Sequence, residues 1–306
     1  MFMNSTPRLT PEQSSKNRCL LALHAHPDDE SSKGAGTMAR YASDGVRVVL
    51  LCATRGEEGD ILNPRMDQPG IKERMPELRE AELQTACDLL GVERIYQLGY
   101  RDSGMPGTDS NKHPDAFANA DAEEAVGRIV EIIRRERPEV VLCYDESKGY
   151  DHPDHVRVHE WGTRAYFEAG DKSRFPERGD AWRPSKLYYF ATFTKTRFMK
   201  LHEAARAEGI ESPFAKWLEE WDERGLEEPT VTAQIDVAEF IELRSKALLA
   251  HATQIDPDSF WFAVPDEIHR KTYPWEDYTL VDSVVPTRER EEDLFENVAE
   301  WSSDAL

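Results

Sequence analysis

Cys19-Leu20-Leu21-Ala22-Leu23-His24-Ala25-His26-Pro27-Asp28-Asp29-Glu30 is an apolar run that ends in a cluster of ionisable side chains. An uninterrupted apolar run of strand length suits a strand buried on both faces, as in a parallel sheet. Loops at the carboxyl ends of such strands converge on one crevice, so charged residues there are placed for chemistry. His26 and Asp29, three residues apart, can both face one cation, while Asp28 stays free to take a proton. His152-Pro153-Asp154-His155 repeats the form downstream.

Outward from this stretch, strand-length apolar runs alternate with helix-period segments. The spacing predicts a helix over Gly34 to Ser43, a strand over Val46 to Ala53, and a helix carrying Leu83, Ala86 and Leu90 that Gly91 stops. A third strand, Arg94 to Leu98, runs into the turn-rich Gly99 to Gly104. Asp121 and Glu124 form a capping box before an apolar face of Val126, Ile129, Val130 and Ile133. Val140 to Tyr144 is the fourth strand, Val158 to Ala169 a helix and Leu187 to Ala191 a fifth strand. This alternation predicts an α/β fold with a mostly parallel sheet flanked by helices.

Four reactive clusters each follow a predicted strand: His26 to Glu30, Arg55 to Asp60, Arg101-Asp102, and Tyr144 to His155. Beyond residue 193 the chain reads as charged and helical, with Asp236 and Glu239 as a second capping box before Val237, Phe240, Ile241 and Leu248. The expected organisation is a loose tail over 1–18, a metal-hydrolase domain over 19–193, a mainly helical part over 194–285 packed on it, and a partly disordered acidic tail over 286–306. The segment from Thr194 to Glu228 reads as a solvated helical layer, with a lid or an interface as the alternatives.

The chain has 306 residues, 38 Lys+Arg against 59 Asp+Glu and a formal net charge of −21, which disfavours a nucleic-acid groove. No window reaches the roughly 18 consecutive apolar residues of a membrane span. The polar start, with Pro7 and Pro11, lacks the apolar core of a secretory signal, so a cytoplasmic location is the default. Cys19, Cys52, Cys87 and Cys143 show no Cys-x-x-Cys spacing and read as core thiols.

A catalytic zinc takes three protein ligands, often two close in sequence and one remote, and His26, Asp29 and His155 supply such a set. Asp28 is then the general base, His152 and Tyr150 suit the developing oxyanion, and Asp154 is placed to orient His152. Against this stands a plainer reading in which Asp28 or Asp29 caps a helix, which weakens once both clusters are considered. His24 reads as a core residue or a neighbour of the ligands. His113, His159, His202, His251 and His269 read as surface or satisfied core histidines.

The loop Arg55-Gly56-Glu57-Glu58-Gly59 lacks phosphate-loop spacing and carries carboxylates that would repel phosphate; it reads equally as a plain turn or as a functional loop in which Glu57 suits a hydroxyl or amine. Arg79 and Asp102 are candidate substrate contacts, with a solvated helix residue and a turn-forming Asp as the alternatives. Lys33, one helical turn past Asp29, is a candidate for the same crevice, with surface exposure as the equal alternative.

These clusters resemble the zinc-dependent deacetylases of N-acyl glucosamine derivatives, the family of N-acetylglucosaminyl-phosphatidylinositol deacetylase. The likeness runs from about residue 19 to beyond residue 265. It includes His24-Ala25-His26-Pro27-Asp28-Asp29-Glu30-Ser31-Ser32-Lys33-Gly34, Gly59-Asp60-Ile61-Leu62-Asn63-Pro64 and His251-Ala252-Thr253-Gln254-Ile255-Asp256-Pro257. The longer strings resemble an amidase branch that cleaves S-conjugated N-acetylcysteine from glucosaminyl-inositol, a detoxification step.

The resemblance implies a Rossmann-like domain with one zinc on His26, Asp29 and His155 (ferrous iron being the other candidate), Asp28 as base, and Tyr150 with His152 assisting the tetrahedral intermediate. It places Arg79 and Asp102 where the related inositol-glucosamine deacetylase holds inositol, and Lys33 matches the amidase branch. Lys148 and Asp151 depart from it, standing where the branch shows glycine and proline. The partner is thus a small thiol-sugar conjugate. An N-acetylglucosaminyl-inositol deacetylase, or a non-catalytic conjugate-binding protein on the same fold, are the alternatives. Sequence leaves the oligomeric state open.

Overall fold

β1 (Cys19–His24) is buried along its whole length, because it lies in the middle of the sheet with parallel neighbours on both sides. The computed structural model describes residues 18–146 and 150–299; all of the expected N-terminal tail except Arg18, and Lys148 in the active-site loop, fall outside them. The strands are β1, β2 (Arg47–Thr54), β3 (Arg94–Tyr100), β4 (Val140–Cys143), β5 (Lys186–Phe190), β6 (Ala233–Asp236) and β7 (Trp275–Ser283). Among the described residues they form one sheet in the order β3-β2-β1-β4-β5-β7-β6.

β1 to β5 are parallel, with Leu20 opposite both Val48 and Val140, while β7 runs antiparallel to β5 and to β6. The winding reverses between β1 and β4. Chains leave these two strands in opposite directions across the sheet, opening a crevice at their carboxyl ends. The two His-Pro-Asp clusters follow those two strands, so the topology itself brings them together.

The helices are α1 (Asp29–Ser32), α2 (Ala35–Ser43), α3 (Met75–Leu90), α4 (Ala122–Glu136), α5 (Pro153–Ala169), α6 (Lys195–Ala207), α7 (Ala215–Glu223), α8 (Ile241–Ala250) and α9 (Asp266–Thr272). Gly91 ends α3 at φ 74°, and a Cβ there would press on the Ala42 methyl at 2.9 Å, so glycine serves both the cap and the packing. Before α4, the Asp121 carboxylate accepts the Glu124 amide at 2.9 Å, but the Glu124 carboxylate is taken by the Tyr100 hydroxyl, so half of the predicted box forms. The four cysteines are buried and free, as expected. No helix among the described residues is long and apolar enough to cross a membrane.

The C-terminal third differs from its reading. Asp236 ends strand β6 and accepts the Ala238 amide at 2.9 Å; α8 starts only at Ile241, without the Asp236–Glu239 box. β7 was hidden because Trp275-Glu276-Asp277-Tyr278 puts two carboxylates where a core strand would carry apolar residues. Both are buried with hydrogen-bonding tasks. Glu276 accepts the Gly36 and Thr37 amides at 3.0 and 2.8 Å, satisfying the first turn of α2, and Asp277 accepts from Tyr273 Oη at 2.7 Å. The layer from Thr194 has an apolar centre of its own, where Phe198, Leu201 and Phe214 meet Val264 and Tyr273.

The acidic stretch after Pro286 is not a loose tail over its described residues. Leu294, Phe295 and Val298 join the main core, and Glu291 bridges to Ala233 of β6. Glu291 is 1 % exposed and accepts from Lys186 Nζ at 2.7 Å and from the Tyr188 hydroxyl. Breaking a buried ion pair by removing one partner strands the other charge away from water. Lys186→Met is therefore expected to lower stability by about 3 kcal/mol in urea unfolding; a loss under about 1 kcal/mol would mean that this segment is only loosely attached.

Candidate active site

The loop after β1 is held in a conformation that L residues rarely adopt. Asp28 has φ 107°, fixed by its amide donating to Glu30 Oε2 at 2.9 Å. Glu30 is itself fully buried, where its Oε1 meets His251 Nε2 at 2.7 Å and the Ser31 hydroxyl. The capping alternative fails here. The Asp28 side chain caps no helix amide, and the Asp29 carboxylate accepts the amide of His26 at 2.9 Å instead.

His26 Nδ1 lies 3.5 Å from Asp29 Oδ2, and His155 Nε2 lies 3.3 Å from the same oxygen. The three residues are buried, and one donor atom from each falls within 4.8 Å of the others. Two imidazoles and a carboxylate form a donor set that fits a divalent metal. His26 belongs to a second group as well, with Asp102, His152 and Asp154.

That second group reassigns one residue. The Asp154 carboxylate lies 3.2 Å from His26 Nε2 and accepts the Ser103 amide at 3.0 Å and the Ser103 hydroxyl. It therefore orients His26 rather than His152. A histidine whose far nitrogen bonds a carboxylate is fixed in ring orientation and made a better ligand. His152 caps α5 through its Nδ1, which accepts the Asp154 amide at 3.2 Å, leaving Nε2 to carry the proton 3.7 Å from Asp102. Burial and the neighbouring His26 push its pKa down to about 4, so this ring is a neutral donor.

Asp28 meets Arg79 Nη2 at 2.8 Å. The same guanidinium donates to the Pro27 carbonyl and, through Nη1, to the Gly56 carbonyl at 2.5 Å. Gly56 has φ +66°, and a Cβ there would overlap the guanidinium. Arg79 is thus neither solvated nor reaching outward: its terminal nitrogens are spent on two site loops. Burial raises the Asp28 pKa, Arg79 opposes, and Asp29 raises it further; the net direction is upward.

Asp102 is 3 % exposed, accepts the Gly104 amide at 2.8 Å, and lies 3.5 Å from His26 Nε2. Lys33 Nζ lies 2.7 Å from Asp29 Oδ1. Tyr150 is half exposed, with its ring 4.9 Å from that of His155. Glu57 lies on the loop that Arg79 holds at Gly56, and its Oε2 is buried without a hydrogen-bond partner among the described residues.

Two supporting residues, Ser103 and Tyr144, had no role assigned to them from the sequence. Ser103 sits in a turn that local pattern cannot aim. Tyr144 stacks on His155 at 4.6 Å and accepts the Ala25 amide at 3.1 Å, yet reads as one more apolar residue of β4. His251, read as a surface or satisfied core histidine, is the satisfied core kind, fully buried with Nε2 2.7 Å from Glu30 Oε1. His24 is buried as expected, stacked on Phe190.

The family model for PIG-L, GlcNAc-PI de-N-acetylase, matches residues 21–166. Mycothiol S-conjugate amidase of Streptomyces coelicolor is 45% identical over 284 residues, covering 91% of this chain and 97% of the relative. The chain belongs to the GlcNAc-PI de-N-acetylase family. It is a hydrolase of the amidase and deacetylase kind. The 1D-myo-inositol 2-acetamido-2-deoxy-alpha-D-glucopyranoside deacetylase of Geodermatophilus obscurus is 39% identical over 288 residues, again covering 91% of this chain and 97% of the relative. In fold the chain is similar to N,N'-diacetylchitobiose deacetylase of Pyrococcus horikoshii, with TM-score 0.60, 18% identity and coverage of 94% and 89%.

The de-N-acetylase span contains both His-Pro-Asp clusters, Lys33, Arg79 and Asp102, whereas His251, which braces Glu30, lies outside it. Asp154→Asn is expected to weaken divalent-metal affinity about 10–100-fold in a chelator-competition titration, with the fold intact by circular dichroism. Unchanged affinity would show that Asp154 does not act through His26.

Proposed function

We propose that this chain hydrolyses the amide between an S-substituted N-acetylcysteine and glucosaminyl-inositol, using one zinc ion held by His26, Asp29 and His155. The observation that carries the reading is Asp28, a half-buried acid whose pKa is shifted upward, standing in the chain between the two ligands of its loop and ion-paired, among the described residues, with Arg79. Binding alone has no use for such an acid. Substrate choice rests on the likeness to the Streptomyces coelicolor amidase along nearly the whole chain.

Zinc at these three residues supplies Lewis acidity toward the carbonyl oxygen and toward water; ferrous iron suits the same donors. The rest is done by the protein. The Asp28 carboxylate takes the proton of the attacking water and returns it to the departing glucosamine nitrogen. Arg79 holds that carboxylate and the Gly56 loop, and so is a positioning residue rather than a sugar contact. As the carbonyl carbon becomes tetrahedral, the Tyr150 hydroxyl and the His152 Nε2–H donate to its oxygen. The cap on α5, where His152 Nδ1 accepts the Asp154 amide, keeps the ring turned that way.

The unpartnered Glu57 Oε2 is a ready acceptor for a sugar hydroxyl. Lys33, whose Nζ lies 2.7 Å from Asp29 Oδ1, borders the same crevice. Cleavage at this amide discards the substituent as a mercapturic acid, which is a detoxification.

Asp28→Asn keeps a polar partner for Arg79 but cannot hold the proton. It is expected to lower kcat about 10²–10⁴-fold with metal content retained; full turnover by this variant would remove Asp28 as the base. On one wild-type preparation, kcat/KM for a mycothiol S-conjugate is expected to exceed that for the N-acetyl sugar at least about tenfold, since only the acyl sides differ. The opposite preference would assign the chain to deacetylation.

A further inference from the structure

Two exposed aromatic side chains and a half-buried one lie together on the Lys33 side of the site. Phe193, just past the carboxyl end of β5, is 37 % exposed, Phe260 is 47 % exposed, and Trp261 is half-buried. Their rings form a continuous surface, with Phe193 6.4 Å from Trp261 and Trp261 4.5 Å from Phe260. The base of this surface is rigid. Phe193 stacks on the buried Phe198 at 5.9 Å, and its neighbours are tied down where Ala191 donates to Asp277 at 2.9 Å and Thr194 accepts the Arg197 amide at 3.3 Å.

The position of the patch names its occupant. Lys33 Nζ lies 2.7 Å from the Asp29 carboxylate and 6.0 Å from the centre of the Phe193 ring, so one side chain spans the gap between a metal ligand and the platform. In the amide proposed as substrate, the sulfur is three bonds of roughly 1.5 Å from the scissile carbonyl carbon. Its substituent therefore begins about where the Lys33 stem ends and the aromatic surface starts. Exposed contiguous apolar surface beside a polar site marks a place where a ligand buries apolar area, and flat rings favour an aromatic guest.

We propose that Phe193, Trp261 and Phe260 form an acyl-side subsite that takes the apolar, preferably aromatic, S-substituent of the conjugate. The proposal rests on the S-conjugate reading above and extends it to specificity: the enzyme selects conjugates by the group to be discarded. The site gains little from a thiol conjugate that carries only a small alkyl group.

The test compares S-benzyl and S-methyl conjugates of the same glucosaminyl-inositol amide on wild type, Phe193→Ala, Phe193→Leu and Trp261→Ala. Wild type is expected to favour S-benzyl about tenfold in kcat/KM, expressed in KM. The two alanine variants are expected to bring that ratio toward one, and Phe193→Leu to retain part of it. A ratio near one in wild type, or equal losses on both conjugates in the variants, overturns the subsite.

Inhibition separates this outcome from failure of the substrate reading. S-benzyl-N-acetylcysteine and S-methyl-N-acetylcysteine are compared as inhibitors of whatever amide hydrolysis the chain performs, the acetyl sugar included. Tighter inhibition by the benzyl compound that Phe193→Ala abolishes supports the subsite even if no conjugate is turned over. Equal inhibition by the two overturns it. Self-association of wild type that Phe193→Ala abolishes, with no change in either ratio, also overturns it and makes the patch an interface between copies.

Discussion

The buried Glu30 carboxylate is the brace on which the site depends. One oxygen holds the Asp28 amide and the other holds His251, so a single side chain fixes a left-handed residue in the ligand loop and pins α8 to that loop. Strain at Asp28 persists only because its surroundings over-determine it. It is this conformation that sends Asp28 toward Arg79 while Asp29 turns toward His26 and His155. Loss of the brace would relax the turn and blur the difference between base and ligand.

The ligand set is built by topology rather than by any one motif. β1 and β4 are neighbours in the sheet, and the chain leaves them in opposite senses, so two loops distant in sequence meet at their carboxyl ends. The reach from α5 back to the turn at Ser103 then closes a chain of contacts. Ser103 holds Asp154, Asp154 holds His26, and His26 faces Asp29. Arg79 makes the matching link on the other side, from α3 to Gly56 and Asp28.

The parallel half of the fold and the His-Pro-Asp clusters were legible because their signals are local: unbroken apolar runs for strands, helical spacing for helices, and ionisable residues at strand ends. Legibility failed where a residue's task is set by a distant partner. Glu276 and Asp277 look like solvent residues until the amides of α2 and the hydroxyl of Tyr273 meet them. Glu291 looks like part of an acidic tail until Lys186 is beside it. Asp154 read as a partner of its sequence neighbour His152, whereas the helix that starts there turns its carboxylate away toward His26. Arg79 read as a substrate contact, with a solvated helix residue as the alternative, because nothing in α3 announces the loops it reaches.

The antiparallel edge of the sheet has a bearing on how the protein is made. β5 pairs on its outer side with β7, and β6 and the bridge at Glu291 complete that edge, all from the last quarter of the chain. As synthesis proceeds from the amino end, the five parallel strands are complete while β5 still presents an open row of amides and carbonyls. The interval until β7 emerges is a window in which nascent chains can pair edge to edge. The charged surfaces of α6 and α7, which emerge within that interval, repel neighbouring chains while the edge waits for its cover.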